Sequence, residues 1–266
     1  MGRCNSFFDP DCDGSQEGFS NDEFQNRMRV LEADLADDAN PGARYFMEGW
    51  YVVRDDVNIF NTMGWRELDP NWTDSFWTFP ATTSLTQGSF ADFWVDSQSP
   101  GANESNTVVD TGEGRARVMV KVVDLEDNTW RYDYAVMNHE FMRAETVGAE
   151  PDLEITSSSG FSEFQVPVAT GVAVSAIDSA RADRTIGADW TGTRNSANVT
   201  WSDSGATPLS WGRTFRFSFI ADVAPVEGQV ILGAASGAPA SFSARVLVPD
   251  VGESIFADGF EQPPVR

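Results

Sequence analysis

Arg115-Ala116-Arg117-Val118-Met119-Val120-Lys121-Val122 and Thr214-Phe215-Arg216-Phe217-Ser218-Phe219-Ile220 decide the fold. In both stretches a polar and an apolar set alternate with a period of two, the mark of a strand with one face on a core and one in water. Such strands belong to antiparallel sheets, because the helical crossovers of a parallel sheet bury both faces. The two runs extend over 115–123 and 215–221. Aromatic and β-branched runs of the same kind occupy 44–53, 90–95, 129–137, 164–168, 172–177, 199–202, 230–232 and 241–248. Turn chemistry separates them, as in Asp110-Thr-Gly-Glu-Gly114, Glu126-Asp-Asn128, Ala169-Thr-Gly171 and Ser202-Asp-Ser-Gly205. No helical period intervenes between these runs. The predicted fold is all-β: an antiparallel β-sandwich of about ten strands, with a short, partly helical N-terminal segment.

The sandwich is expected to fill residues 41–249 as one domain, closed by Pro249. Residues 1–40 form an acidic N-terminal segment, in which Ser20 and Glu23 make a capping box ahead of Phe24, Met28, Leu31 and Leu35 at helical spacing. Residues 250–266 form a C-terminal tail. With 9 Trp and 19 Phe the chain has apolar mass for a large core, and no stretch is long and apolar enough to span a membrane.

Charge narrows the function classes. The chain carries 18 basic and 41 acidic side chains, a formal net charge of −23. A nucleic-acid partner is excluded, because phosphate contacts need clustered Lys and Arg. Lys121 is the single lysine and His139 the single histidine. Schiff-base chemistry, multi-histidine metal sites and most nucleophilic triads therefore lack raw material. A G-x-S-x-G elbow is absent, and His139, just past a strand, reads as a strand-end residue bonded to backbone. Carboxylates and aromatic rings are the abundant tools, which favours binding over catalysis.

The strongest local chemistry is Asp9-Pro-Asp11-Cys-Asp13-Gly14-Ser15-Gln-Glu17. Oxygen donors at loop positions 1, 3, 5, 7 and 9, with glycine at 6, follow the logic of a calcium loop. Asp9, Asp11, Asp13, Ser15 and Glu17 are thus the candidate Ca2+ ligands, in a pattern that resembles the aspartate-rich loops of dockerins and thrombospondin-type repeats. Position 12 is Ser20 where a bidentate Glu is expected, so a solvated acidic turn is the competing reading. Cys4 and Cys12, eight positions apart, are expected to form a disulfide, which fits an oxidising compartment. No apolar h-region follows Arg3, while MGRCNS also fits an N-acylation pattern, the basis of a third reading as a cytosolic acylated protein.

Five tryptophans, Trp50, Trp65, Trp72, Trp77 and Trp94, crowd one segment. Core packing is the usual fate of such rings. Trp65 and Trp72, set among polar and turn residues, are the candidates for exposure and for stacking on sugar rings. Sequons for N-glycosylation begin at Asn71, Asn103 and Asn198.

Several motifs resemble those of a group of secreted bacterial β-rich proteins. They are Asn40-Pro-Gly-Ala-Arg-Tyr-Phe-Met-Glu-Gly-Trp-Tyr51, Gly112-Glu-Gly-Arg115, Trp130-Arg-Tyr-Asp-Tyr-Ala-Val-Met-Asn138 with Arg143, Phe164-Gln-Val-Pro-Val168, Val199-Thr-Trp-Ser202, Pro208-Leu-Ser-Trp-Gly212 and Phe215-Arg-Phe-Ser-Phe219. The tail Ile255-Phe-Ala-Asp-Gly-Phe-Glu261 is similar to I-F-x-D-G-F-E endings of exported proteobacterial proteins. Fuller members of the group carry a longer N-terminal region and a leader that this sequence lacks. The resemblance implies export and a β-rich fold; it carries no reaction and no catalytic residue.

The expected protein is extracellular or at the cell surface, with a structural or binding role. Self-association, glycans and cell surfaces are its candidate partners. The alternative is a secreted carbohydrate-active hydrolase using paired carboxylates.

Overall fold

The period-two runs are strands. In a computed structural model, which describes residues 30–51, 58–149, 152–181, 190–203 and 207–250, the described residues form seventeen strands and almost no helix. The chain divides into two units, Met1–Trp94 with Thr146–Thr156 and Val95–Glu145 with Ser157–Arg266. No helix among the described residues is long and apolar enough to cross a membrane.

The first unit holds α1 (Glu32–Leu35), β1 (Tyr45–Trp50), β2 (Met63–Leu68), β3 (Asn71–Trp72), β4 (Trp77–Thr78), β5 (Thr86–Gln87) and α2 (Ala91–Trp94). It forms a sheet in the order β1-β2-β5 and a two-stranded pair β3-β4. None of these strands joins the two five-stranded sheets. The strand expected over 90–95 is instead one turn of helix. Ser89 Oγ accepts from the Ala91 N–H (3.2 Å), and the Phe93 and Trp94 N–H groups bond back to the Phe90 carbonyl. Three-residue spacing then stacks Phe90 on Phe93, centroids 5.6 Å apart.

The following strands are β6 (Glu104–Asp110), β7 (Arg115–Asp124), β8 (Trp130–Asn138), β9 (Arg143–Val147), β10 (Glu154–Ser159), β11 (Phe161–Pro167), β12 (Val174–Arg181), β13 (Thr191–Arg194), β14 (Asn198–Ser202), β15 (Arg213–Ala221), β16 (Pro225–Ala234) and β17 (Ser241–Pro249). Two five-stranded sheets of the second unit, ordered β12-β15-β8-β7-β6 and β13-β14-β11-β16-β17, make up its ten-stranded sandwich, while β9 and β10 pair as a ribbon. All printed strand pairs in the two sheets are antiparallel.

The decisive alternation sets the core. Ala116, Val118, Val120 and Val122 of β7, Tyr132, Tyr134 and Val136 of β8, and Phe215, Phe217 and Phe219 of β15 are buried toward Phe161, Phe164, Val166, Val199, Trp201, Val230, Leu232, Val246 and Val248 of the facing sheet. Rings meet across the layer: Phe164 lies 5.0 Å from Phe217 and 5.5 Å from Tyr134, and Trp201 lies 5.2 Å from Phe217. Burying each such ring is worth roughly 1.5–3 kcal/mol.

The opposite face of β7 departs from expectation: Arg117 and Met119 are buried instead of solvated. Asn106, opposite Met119 in the β6/β7 register, donates its amide to the Val95 carbonyl (2.8 Å), so the segment entering β6 lies against this face. Farther along, the face is charged. Lys121 pairs with Glu104 (2.9 Å), Arg131 with Asp133 (2.7 Å) and Arg216 with Asp178 (2.6 Å).

Side chains also stitch the two sheets along both edges. Next to β17, the Tyr134 hydroxyl donates to the Leu247 carbonyl (2.9 Å), the Leu247 N–H donates to Ser105 Oγ (2.9 Å), and the Thr107 hydroxyl donates to the Arg245 carbonyl (2.6 Å). On the far side the Trp201 indole N–H donates to the Asp178 carbonyl (3.0 Å) of β12, and the Ser179 hydroxyl donates to the Trp190 carbonyl (2.7 Å) beside β13. The Arg245, Leu247 and Asp178 carbonyls and the Leu247 N–H, which an edge strand would otherwise offer to another chain, are thereby occupied.

Burial raises the pKa of the Tyr134 phenol well above its ordinary value, with Tyr132 adding to the effect; burial also raises Tyr132, helped by the charge of Asp250. A folded-state pKa above the unfolded value of about 10 means that folding favours the neutral phenol. This stabilisation is fully present below about pH 10 and is lost as pH rises toward the folded pKa. Tyrosinate absorbance is therefore expected to show Tyr132 and Tyr134 ionising only together with alkaline unfolding. Tyr134→Phe should make stability at alkaline pH fall less steeply, while costing about 1 kcal/mol at neutral pH through the lost bond to Leu247.

Candidate functional site

Two places gather the residues that the sequence singles out. The first is one end of the sandwich. Buried Asn138 donates its amide to the carbonyls of Phe141 and Leu209 (2.9 Å each), accepts from the Phe141 N–H (2.9 Å), and takes the Gly212 N–H on its own carbonyl (2.7 Å). Leu209 and Phe161 exchange backbone bonds, and a β-carbon on Gly160 would overlap the Leu209 carbonyl, so only glycine fits there. Arg143 donates to Glu113 (2.8 Å) and to the carbonyls of Ser236 and Pro239, with its guanidinium over the rings of Phe141 and Phe242. Gly112-Glu-Gly-Arg115, Asn138, Arg143 and the Leu209-to-Gly212 motif thus converge, and their polar groups bind one another. His139 is buried at this end of β8, with its backbone N–H on the Arg115 carbonyl (3.0 Å).

The second place is a long, irregular hairpin over residues 63–87 of the first unit. Gly64 faces Gln87, Trp65 faces Thr86, Leu68 bridges Ala81, Asn71 faces Thr78 and Trp72 faces Trp77. Between the paired stretches, the Asp69 N–H reaches the Pro80 carbonyl (2.9 Å) and the Thr82 N–H reaches the Glu67 carbonyl (3.0 Å). Thr73 closes the tip, its N–H and hydroxyl both donating to the Phe76 carbonyl (3.0 and 2.8 Å). Asp74 takes the left-handed conformation (φ 68°) that a short polar side chain tolerates.

The base of this hairpin is an aromatic cluster. Trp65 packs on Phe46 (5.9 Å between centroids), Phe90 (5.7 Å) and Phe93 (5.0 Å), and Phe46 packs on both phenylalanines. The Arg44 guanidinium lies over Phe46 (5.1 Å) and Phe93 (5.0 Å) and grips Glu67 with two bonds (2.7 and 3.0 Å). That grip holds the Glu67 carboxyl below its usual range and raises the Arg44 guanidinium. Lys121 likewise lowers Glu104, with a contribution from the Gly101 N–H.

The tip is the opposite case. Trp72 and Trp77 form a cross-strand pair, centroids 5.8 Å apart, and Trp72 remains 47% exposed. Phe76 in the turn is 61% exposed and Phe79 is 42% exposed. Phe79 follows β4, two residues past Trp77. The two stacking candidates therefore sit on one hairpin but do different things: Trp65 is half-buried among rings, and Trp72 is presented outward. Phe76 and Phe79 are additions that the sequence reading missed; their signal was the polar, turn-forming stretch around them.

The proposed calcium ligands Asp9, Asp11, Asp13, Ser15 and Glu17, and the pair Cys4 and Cys12, lie outside the described residues. Among the described residues no group of three or more His, Cys, Asp or Glu is placed to hold a metal ion. No protein-family model matches the chain, and no curated protein matches it significantly.

Removing the two rings separates their roles. Trp65→Ala should destabilise the first unit by about 2 kcal/mol, at the low end for an aromatic truncation because the ring is only half-buried. Trp72→Ala should cost less than about 1 kcal/mol, the scale of one cross-strand pair. Chemical unfolding followed by limited proteolysis within residues 58–94 checks both.

Proposed function

We propose that the protein is an extracellular or cell-surface binding protein, in which the stitched sandwich is a stable frame and the hairpin tip is the contact surface. The observation that carries this reading is the exposed group Trp72, Phe76 and Phe79. Large rings left in water together at one turn suit a surface meant to be covered. Self-association belongs to the same reading and is directed to the exposed hairpin tip. Export, Ca2+ at Asp9, Asp11, Asp13, Ser15 and Glu17, and a disulfide between Cys4 and Cys12 complete the proposal for the N-terminal segment.

The hydrolase alternative draws less support. A general acid at neutral pH needs a raised carboxyl pKa. Glu67 and Glu104 are held below the usual carboxylate range by Arg44 and Lys121. They suit ion pairing better than proton donation.

Retention on immobilised polysaccharide, phospholipid and alkyl surfaces, run in calcium and in chelator alongside size measurement, tests the binding reading. The wild-type chain should be held by at least one surface or by copies of itself, and Trp72→Ala with Phe76→Ala should abolish that retention. Chelator should weaken it where the N-terminal loop contributes. A chain that stays monomeric and passes every surface, or a double variant retained like wild type, sinks the reading.

A further inference from the structure

We propose that the tip of the 63–87 hairpin binds a neutral polysaccharide, with a pyranose ring stacked on Trp72; this rests on the binding reading above. Two observations select this ligand chemistry.

First, the exposed rings are interleaved with hydrogen-bonding groups. Asn71, Thr73, Ser75 and Thr78 alternate with Trp72, Phe76 and Trp77 through the tip. The Thr73 and Thr78 hydroxyls each donate to a backbone carbonyl (2.8 and 3.2 Å), which leaves their oxygens able to accept. An apolar protein groove closing over this tip would strip water from these groups and from Asp74 without replacing it. A sugar offers C–H faces to the rings and hydroxyls to the polar groups at the same time.

Second, no lysine, arginine or histidine occurs between Arg66 and Arg115, while Asp69 and Asp74 flank the tip. Phosphate, sulfate and uronate ligands need a cation to bind against, and an anionic membrane is repelled by a chain of net charge −23. A neutral polymer meets none of these obstacles.

Affinity electrophoresis and sedimentation against cellulose, amylose and mannan test the assignment, with a sulfated polysaccharide and phosphatidylcholine vesicles in parallel. Wild-type chain should bind at least one neutral glycan, with little loss in high salt, and should ignore the sulfated polymer. Trp72→Ala should lose about tenfold or more in affinity, equivalent to about 1.4 kcal/mol, and Trp72→Phe should recover most of it. Phe76→Ala, in a turn without strand pairing, is the second variant, and thermal unfolding confirms that each variant keeps the wild-type fold. Neutral-glycan binding that Trp72→Ala leaves unchanged overturns the site. Trp72-dependent binding to vesicles without glycan binding overturns the ligand and leaves the binding reading standing. Absence of retention on every probe overturns both.

Discussion

Large aromatic side chains with polar ends can be buried only where each end finds a partner, and the sandwich is organised around that requirement. Tyr132, Tyr134, Trp190 and Trp201 all lie in the inter-sheet layer. Each donates to a backbone carbonyl: Tyr132 to Val223, Tyr134 to Leu247, Trp190 to Thr207 and Trp201 to Asp178. The same rings supply apolar area in the middle of the layer and hydrogen bonds at its margins. Packing and edge closure are therefore coupled, because moving a sheet far enough to loosen the rings also breaks the bonds along its edge.

That coupling explains which parts of the fold are legible in the sequence. Strands that line the aromatic layer must alternate, so β7, β8, β14 and β15 stand out from their residues alone. β6 and β13 close the edges through backbone and small polar side chains. Glu-Ser-Asn-Thr-Val-Val-Asp and Thr-Gly-Thr-Arg carry little periodic signal, although Ser105 and Thr107 in β6 hold β17. Phe90 to Val95 shows the converse error. A dense aromatic run has strand composition, yet Ser89 at its start and rings at three-residue spacing turn it into helix. Whether an outward face meets water is also invisible locally: Met119 looks like an irregularity in a polar face and is in fact buried.

The site is legible in kind and not in position. Tryptophans in a turn-rich segment announce a hairpin with rings at its surface. Trp65 and Trp72 have similar polar neighbours in the sequence, but Phe46, Phe90 and Phe93 come from other elements and cover only Trp65. Conversely, Asn138, Arg143 and the Leu209-to-Gly212 stretch look like chemistry as isolated motifs. Assembled, they hold one another: amide to carbonyl, guanidinium to carboxylate and carbonyl, glycine against backbone. These motifs thus describe how an end of the sandwich is tied.

Charge then determines what such a surface can hold. The cations of this chain are few, and several are committed to carboxylates: Arg44 to Glu67, Lys121 to Glu104, Arg131 to Asp133, Arg143 to Glu113, Arg216 to Asp178 and Arg245 to Glu227. Exposed pairs of this kind add little stability, but each keeps a positive charge from serving an anionic ligand. The hairpin tip has no cation of its own and takes none from this set. What it presents is flat apolar rings with hydroxyl and amide oxygens, in a field set by carboxylates. Of the common biological polymers, nucleic acids and sulfated glycans are repelled by that field and need cations it lacks. The proposed uncharged chain of sugar rings meets neither obstacle.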